Sequence, residues 1–102
     1  MIARVWSGAT RAEDAEAYAE YLEETGMRAV RALDGSRGTL VLRRIAGGRA
    51  EFTTVLLFDS LEHVRAFAGD EIERAVFFPE DDRFLVEREL GVRHYEVDAH
   101  TT

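Results

Sequence analysis

The first third of the chain changes its hydrophobic pattern at Gly8. Residues 1–7 are mostly apolar, which predicts a strand, whereas apolar residues beyond Gly8 recur every three or four positions, which predicts a helix. Thr10 and Glu13 have the spacing of a capping box, so we expect the helix to begin there. Its apolar face comprises Ala15, Tyr18, Ala19 and Leu22. Gly26 is the expected end of this helix, although helical spacing continues for a turn or two beyond it.

The middle of the chain predicts a β-hairpin whose strands are apolar on both faces. Residues 39–45 and 51–58 favour strands, and the glycine pair at 47–48 favours a tight turn between them. Neither strand alternates cleanly, because 40–42 and 55–58 are unbroken apolar runs. Runs of this kind indicate that both faces of a sheet are covered. We therefore expect helices on one face and a second copy of the chain, forming a homodimer, on the other.

The last third predicts a second helix, a short third helix and a final strand. Asp59 or Ser60 is placed to cap the second helix, and Gly69 to end it. The face of that helix expected to be buried comprises Leu61, Val64, Phe67 and Ala68. Pro79 and the acidic residues after it favour a short helix. The final strand is expected at 92–97, before a frayed tail at the end of the chain.

This order of elements predicts the fold class. The succession β-α-β-β-α-β is typical of the ferredoxin-like α+β fold, a four-stranded antiparallel sheet with helices on one face. A chain of 102 residues is too short for two independent cores, so we expect one domain over 1–102.

Composition and charge exclude several classes of chemistry. The chain has no Cys, Lys, Asn or Gln, which excludes thiolate nucleophiles, Schiff-base lysines and the P-loop lysine. A formal net charge of −7 opposes nucleic-acid binding. No apolar run approaches the roughly 20 residues that span a bilayer, and the first residues lack the pattern of a signal peptide. We expect a cytoplasmic protein with no membrane partner.

The histidines are the candidate catalytic bases. His94 lies on the final strand and His63 on the second helix, where either one could take a proton from a substrate. The alternative for both is a structural histidine whose ring nitrogens are satisfied. Tyr95 follows His94 directly and points to the opposite face of the sheet, so the two cannot act as a pair. The three histidines show no ligand spacing, so no metal is expected.

An aromatic set predicts a binding site for an apolar small molecule. Trp6 and Tyr95 are candidate substrate contacts on strands, and Phe67, Phe77 and Phe78 are candidates to line a cavity. Each could equally be an ordinary core or interface residue. Arg83 could bind an anionic group of a substrate, but pairing with the neighbouring acidic residues explains it as well.

Five segments of the sequence resemble the antibiotic biosynthesis monooxygenase-like family. They are IARVW at 2–6, FDSL at 58–61, RAFAG at 65–69, the long segment 72–85 and HYEV at 94–97. The resemblance covers nearly the whole chain, and the segments at 72–85 and 94–97 are similar to an uncharacterised subgroup. It implies a dimeric α+β barrel built from ferredoxin-like subunits.

The resemblance also implies two possible functions. One is a monooxygenase that uses molecular oxygen without a metal or flavin cofactor to oxidise a small aromatic or polyketide-like compound. His94, or else His63, would then withdraw a proton, and Trp6 and the phenylalanines would hold the substrate. The other is a homodimer that binds an apolar small molecule, or serves as an accessory protein, without catalysis. Better-understood members use an Asn side chain, and this sequence has none, so no residue role is transferred from them.

Overall fold

The computed structural model describes residues 1–101, and β1 lies at the centre of its single sheet. In chain order the elements are β1 (Ile2–Arg11), α1 (Ala15–Leu22), α2 (Arg28–Arg31), β2 (Ser36–Ala46), β3 (Arg49–Phe58), α3 (Leu61–Ala68), α4 (Asp81–Phe84), β4 (Leu85–Arg88) and β5 (Arg93–Glu96). A 3-10 turn (Ala12–Asp14) precedes α1, and a π-helical turn (Glu23–Met27) joins α1 to α2.

The sheet is antiparallel throughout and has the strand order β2-β3-β1, with β4 and β5 both pairing along the other edge of β1. This arrangement confirms the ferredoxin-like α+β fold, with one addition that the sequence analysis missed. The fourth strand position is filled by two short strands, because the chain leaves the sheet edge between Arg88 and Arg93. Within this gap Glu89 still donates its backbone N–H to the Ser7 carbonyl at 3.0 Å.

The predicted capping box at Thr10 is wrong, because β1 continues to Arg11. Thr10 pairs with Ala50 of β3 and with Leu85 of β4, so the sheet on both sides keeps its backbone extended. Its hydroxyl donates to the Arg11 carbonyl at 2.8 Å instead of accepting from a helix amide. Tertiary strand pairing therefore overrides a local capping signal.

The predicted helix end at Gly26 is also wrong. The chain passes through Gly26 in the π-helical turn and continues as α2. Thr25 donates its hydroxyl to the Tyr21 carbonyl at 2.6 Å, which ties the turn to α1. Met27 and Val30 are both buried, so burial of the continuing apolar face explains why the glycine does not stop the helix.

The elements predicted for the second half form, and the cap and end of α3 lie where they were expected. Ser60 caps α3 by accepting from the His63 backbone N–H at 3.4 Å, and Gly69 ends it with a φ of 84° that favours glycine. The short helix after Pro79 forms as α4, and the final strand forms as β5. The tail predicted at the end of the chain includes Thr102, which lies outside the described residues.

The two faces of the sheet have different environments. Even-numbered residues of β1 pair with even-numbered residues of β3, and this face packs against the helices. The core there includes Tyr18, Val30, Phe52, Leu56, Phe58 and Val64. The opposite face has no helix over it among residues 1–101. We call it the open face of the sheet, and its residues include Ala3, Val5, Leu40, Leu42, Val55, Leu57 and Tyr95.

None of the helices within residues 1–101 has the length and hydropathy that a bilayer crossing needs.

Candidate functional site

A cavity of about 120 Å³ lies between the helix-facing side of the sheet, the α1–α2 segment and the loop at 75–78. Most of the side chains around it are apolar or aromatic. Four residues singled out from the sequence line it together, namely Trp6, Phe67, Phe77 and Phe78. The π-helical turn contributes Thr25 and Gly26 to its wall, and turns of this kind are frequent at functional sites.

Trp6 is held rigidly at the middle of this cavity. Its indole Nε1–H donates to the Glu89 carbonyl at 2.7 Å, which satisfies the one polar atom of the ring. Phe77 packs against it edge-on, with 6.0 Å between the ring centroids. Only 8% of Trp6 is exposed, so the ring forms part of a fixed apolar wall.

Arg4 brings a buried positive charge to the cavity wall. Its side chain lies on the same face of β1 as Trp6, and only 3% of the residue is exposed. Nη1 donates to the Ile72 carbonyl at 2.5 Å, and Nη2 donates to the Arg74 carbonyl at 2.8 Å. The guanidinium carbon lies 5.7 Å from the centre of the Phe67 ring. Burial lowers the pKa of Arg4.

No carboxylate of the described residues pairs with Arg4, although ion pairs are frequent elsewhere on the chain. Buried charges in proteins are normally paired, so an unpaired buried guanidinium is unusual. Arg4 was not among the residues singled out from the sequence. Strand alternation could have indicated it, because residues 4 and 6 of one strand lie on the same face of the sheet.

His94 lies opposite Arg4 and does not line the cavity. The two residues are register partners in β5 and β1, and Nη1 of Arg4 lies 3.1 Å from Nε2 of His94. A guanidinium cannot accept a hydrogen bond, so Nε2 must accept, and the neutral ring carries its proton on Nδ1. Burial, and then the charge of Arg4, lower the pKa of His94, while Glu73 opposes the shift. His94 lines a separate shallow depression with Glu73 and Tyr95.

His63 lies away from the cavity, at the start of α3. Its Nδ1 is 2.9 Å from the Ser60 hydroxyl, and its Nε2 is 3.6 Å from a carboxylate oxygen of the fully exposed Asp34. The ring packs on Gly35, where an added Cβ would lie 2.2 Å from the ring atom Cδ2. These contacts connect the loop before β2 to α3.

The other two candidate contacts also lie outside the cavity. Arg83 is exposed and lies 3.9 Å from the Glu80 carboxylate, with its guanidinium carbon 5.6 Å from the centre of the Phe84 ring. These contacts are consistent with local ion pairing for Arg83. Tyr95 belongs to the open face of the sheet and is 51% exposed.

A second polar group at the cavity is formed by Tyr21 and Asp81, which the sequence analysis did not single out. The Tyr21 hydroxyl is buried and makes no hydrogen bond of ordinary length within residues 1–101, although Asp81 and Thr25 lie near it. Asp81 is 5% exposed and accepts from the Phe78 backbone N–H at 2.7 Å. Burial and the nearby Asp81 raise the pKa of Tyr21. Asp81 looks like a solvated first-turn acid in the sequence, and only the packing of Phe84 on Tyr21 (5.5 Å between ring centroids) places it inside.

Comparison with solved structures shows which fold this is. A candidate antibiotic biosynthesis monooxygenase from Bacillus cereus superposes with a TM-score of 0.68 at 13% identity, over 99% of this chain and 96% of that one. A second one, from Deinococcus radiodurans, superposes with a TM-score of 0.68 at 18% identity, over 100% and 97%. The haem-degrading protein MhuD from Mycobacterium tuberculosis, solved with two haems in its active site, gives 0.61 at 17%, over 100% of both chains.

The chain has the monooxygenase-like fold. The resemblance noted in the sequence is therefore confirmed at the level of the fold. No family model matches the sequence, and no curated protein matches it either.

Within this monooxygenase-like fold, the two polar groups of the cavity lie at different positions along the sheet. Tyr18, which stacks on Tyr21, packs on Phe52 with 4.9 Å between their ring centroids. Arg4 instead pairs with Leu56, four residues further along β3. At about 3.4 Å per residue, those β3 positions are about 14 Å apart. The cavity thus has a cationic end at Arg4 and an end at Tyr21 with a hydroxyl and a carboxylate.

Proposed function

We propose that this protein binds a small aromatic or polyketide-like compound in the cavity and oxidises it with molecular oxygen, without a metal or flavin. The observation that carries the proposal is the aromatic-walled cavity between sheet and helices, in a fold shared with proteins assigned as monooxygenases. Of the residues that the sequence analysis nominated, Trp6, Phe67, Phe77 and Phe78 are the proposed substrate contacts.

The chemistry requires a proton to leave the substrate before oxygen reacts. A substrate with an acidic methylene beside a carbonyl or an aromatic ring loses a proton, and the resulting carbanion passes electrons to oxygen. One oxygen atom then replaces the two hydrogens as a carbonyl, and the other leaves as water. Negative charge develops on a substrate oxygen during this sequence, and the fixed guanidinium of Arg4 is positioned at the cavity wall to stabilise it.

His94 is the proposed proton acceptor. Burial and the charge of Arg4 lower its pKa, which favours the neutral imidazole. Its Nε2 lone pair accepts from Arg4 outside the cavity, so proton transfer requires the ligand to displace this bond. Asp81 is the second candidate, because its carboxylate lines the cavity directly. His63 is the weaker histidine candidate, since Ser60 and Asp34 surround it away from the cavity.

Oxygen consumption tests this proposal. Uptake is measured with a panel that ranges from single-ring compounds with an activated methylene to anthrone, with wild-type protein, His94→Gln and Asp81→Asn. We expect uptake above the uncatalysed rate for the wild type, and a loss of about 10²-fold or more in the variant that lacks the proton acceptor. His100→Gln, an exposed histidine near the end of the chain, is the matched control and should keep full activity. No uptake by the wild type with any compound would contradict a catalytic function.

A non-catalytic binding protein is the second candidate function. It is favoured by the position of the histidines, because neither His63 nor His94 lines the cavity and the His94 lone pair already accepts from Arg4. The same cavity then holds a ligand without turnover. Saturable binding without oxygen uptake would support this function. We do not extend haem degradation to this chain, because no histidine lines the cavity to ligate iron and about 120 Å³ is far below the volume of a macrocycle site.

We also propose that a second copy of the chain covers the open face of the sheet. Leu40 and Leu42 are each about half exposed there, on the edge strand β2. Val55 and Leu57 continue the apolar surface across β3, beside the small side chain of Ala3. A contiguous apolar sheet face of this kind is typical of an interface. A two-fold arrangement would pair the same surface with itself and bury it on both copies.

A further inference from the structure

We infer that the cavity ligand is a single-ring aromatic compound with one anionic group, which the buried guanidinium of Arg4 binds. This inference rests on the proposed function only in taking the cavity as the ligand site. It names the class of compound, which the fold alone does not indicate.

The size of the cavity favours a one-ring ligand. Pockets for drug-sized ligands usually enclose roughly 300 Å³ or more. An engineered protein cavity of about 150 Å³ binds benzene. The cavity of this protein, at about 120 Å³, is close in volume to the benzene-binding cavity. Trp6 forms one wall of it, with the indole N–H bonded to the Glu89 carbonyl.

The charge of the cavity indicates an anion. A guanidinium has five N–H groups, and the bonds to Ile72, Arg74 and His94 use three of them. The Nε–H and one Nη2–H make no hydrogen bond to residues 1–101 and are left for solvent or a ligand. A carboxylate or an ionised phenol would accept from these donors and would also neutralise the buried charge. Arg4 therefore has two unused N–H donors and a buried charge that no carboxylate of residues 1–101 neutralises.

The far end of the cavity has room for a second, neutral polar group. The buried Tyr21 hydroxyl makes no hydrogen bond of ordinary length within the described chain, although Asp81 and Thr25 lie near enough to shift its pKa. Buried hydroxyls without such a bond are rare in proteins. A hydroxyl on the ligand ring, opposite the anionic group, would pair with it. 4-Hydroxybenzoate carries both groups on one ring and is the probe we choose.

Calorimetric titration of the wild-type protein tests the inference with three probes. We expect 4-hydroxybenzoate to bind at least about tenfold more tightly than 4-hydroxybenzamide, its neutral analogue, the lower limit for a hydrogen bond to a charged group. Anthracene-2-carboxylate has the same acid on three rings and should not bind in the same range. Equal affinity for the acid and the amide, or for the one-ring and three-ring acids, would overturn the inference.

Two variants locate the binding. Arg4→Met should remove the preference for the acid over the amide, and a preference that survives would contradict the role of Arg4. Gly26→Leu should weaken 4-hydroxybenzoate at least about tenfold, because residue 26 lines the cavity and a Cβ there meets no atom within 4 Å. Ala17→Leu creates the same side chain on the exposed side of α1 and should leave binding unchanged. Unchanged binding in Gly26→Leu would place the ligand elsewhere.

Fluorescence and oxygen uptake distinguish a wrong ligand class from a wrong catalytic function. Trp6 is the only tryptophan, so quenching of its emission reports a ligand inside the cavity. If Arg4→Met does not fold, the selectivity of the wild type and the Gly26→Leu result still decide the inference. Selective acid binding without oxygen uptake would support the ligand class while contradicting catalysis. Oxygen uptake with neutral polycyclic compounds alone would contradict the ligand class while supporting catalysis.

Discussion

The indole ring of Trp6 lies directly against the backbone of Gly8, two residues along the same strand. A Cβ at residue 8 would stand 2.5 Å from Cη2 of the ring, closer than real Cβ contacts allow. The same Cβ would lie 3.1 Å from the Glu87 carbonyl of β4. Glycine at this position therefore lets the ring lie flat along the sheet, where it forms the middle of the cavity wall.

Gly8→Ala is expected to displace the Trp6 ring and destabilise the protein. The new methyl group would compete with the ring for the same space, and overpacking of this kind costs about 1–3 kcal/mol. Urea unfolding gives the loss of stability, and the Trp6 emission maximum reports the movement of the ring. Gly26→Ala is the matched control, because a Cβ at residue 26 meets nothing within 4 Å and the helical turn gains up to about 1 kcal/mol. Equal stabilities for the two variants would disprove this packing relationship.

Acid is expected to destabilise the fold through His94. Its folded-state pKa is lowered by burial and by Arg4, so the unfolded chain binds a proton more readily than the folded one. Stability should therefore fall as pH drops through the ordinary histidine pKa of about 6.5, and this contribution should level off below the folded-state pKa. Unfolding midpoints in urea between pH 8 and pH 5 measure the effect.

His94→Gln isolates this contribution from that of other groups. Glutamine keeps a polar group beside Arg4 but does not titrate, so the variant should lose less stability than the wild type over the same pH interval. The carboxylates of Glu23 and Asp59, whose pKa values are lowered by Arg31 and Arg37, titrate at lower pH and are common to both proteins. Parallel pH profiles for the two proteins would show that His94 is not desolvated.

The open face of the sheet predicts a dimer that one charge can disrupt. Sedimentation of the wild type at micromolar concentration should give twice the chain mass of 11.5 kDa. Leu42→Arg places a charge on the open face and should give the monomer mass, because an unpaired charge in an apolar interface is costly. Ile45→Arg is the control, since Ile45 is similarly exposed but pairs with Ala50 on the other face. A wild type that sediments as a monomer would refute the dimer.

Helix boundaries predicted from the sequence are confirmed where they depend only on residues within one turn. The Ser60 cap and the Gly69 end of α3 depend on side-chain and backbone preferences within one turn, and both form as expected. The Thr10 capping box and the Gly26 stop failed because contacts from outside the segment decide there. β1 is paired on both sides at Thr10, and the buried face of the helix continues past Gly26.

The candidate site also contains residues that the sequence predicts and residues that only the fold brings to it. Trp6 and the phenylalanines could be singled out from the sequence, because the type of a large aromatic residue is enough to predict that it is mostly buried. Arg4 and Asp81 were missed because their type predicts exposure. Their burial results from β1 lying at the centre of the sheet and from Phe84 packing on Tyr21.

By itself, the sequence determined the α+β class, the order of the elements, the hairpin and the apolar character of both sheet faces, since these follow from periodicity and turn chemistry along the chain. Only the tertiary structure decided that the last strand is divided into β4 and β5, and that His94 rather than Tyr95 meets Arg4. It also decided that the cavity carries a cation at one end and a carboxylate at the other. Those outcomes depend on strand register and on packing between distant segments, which strand alternation alone does not specify.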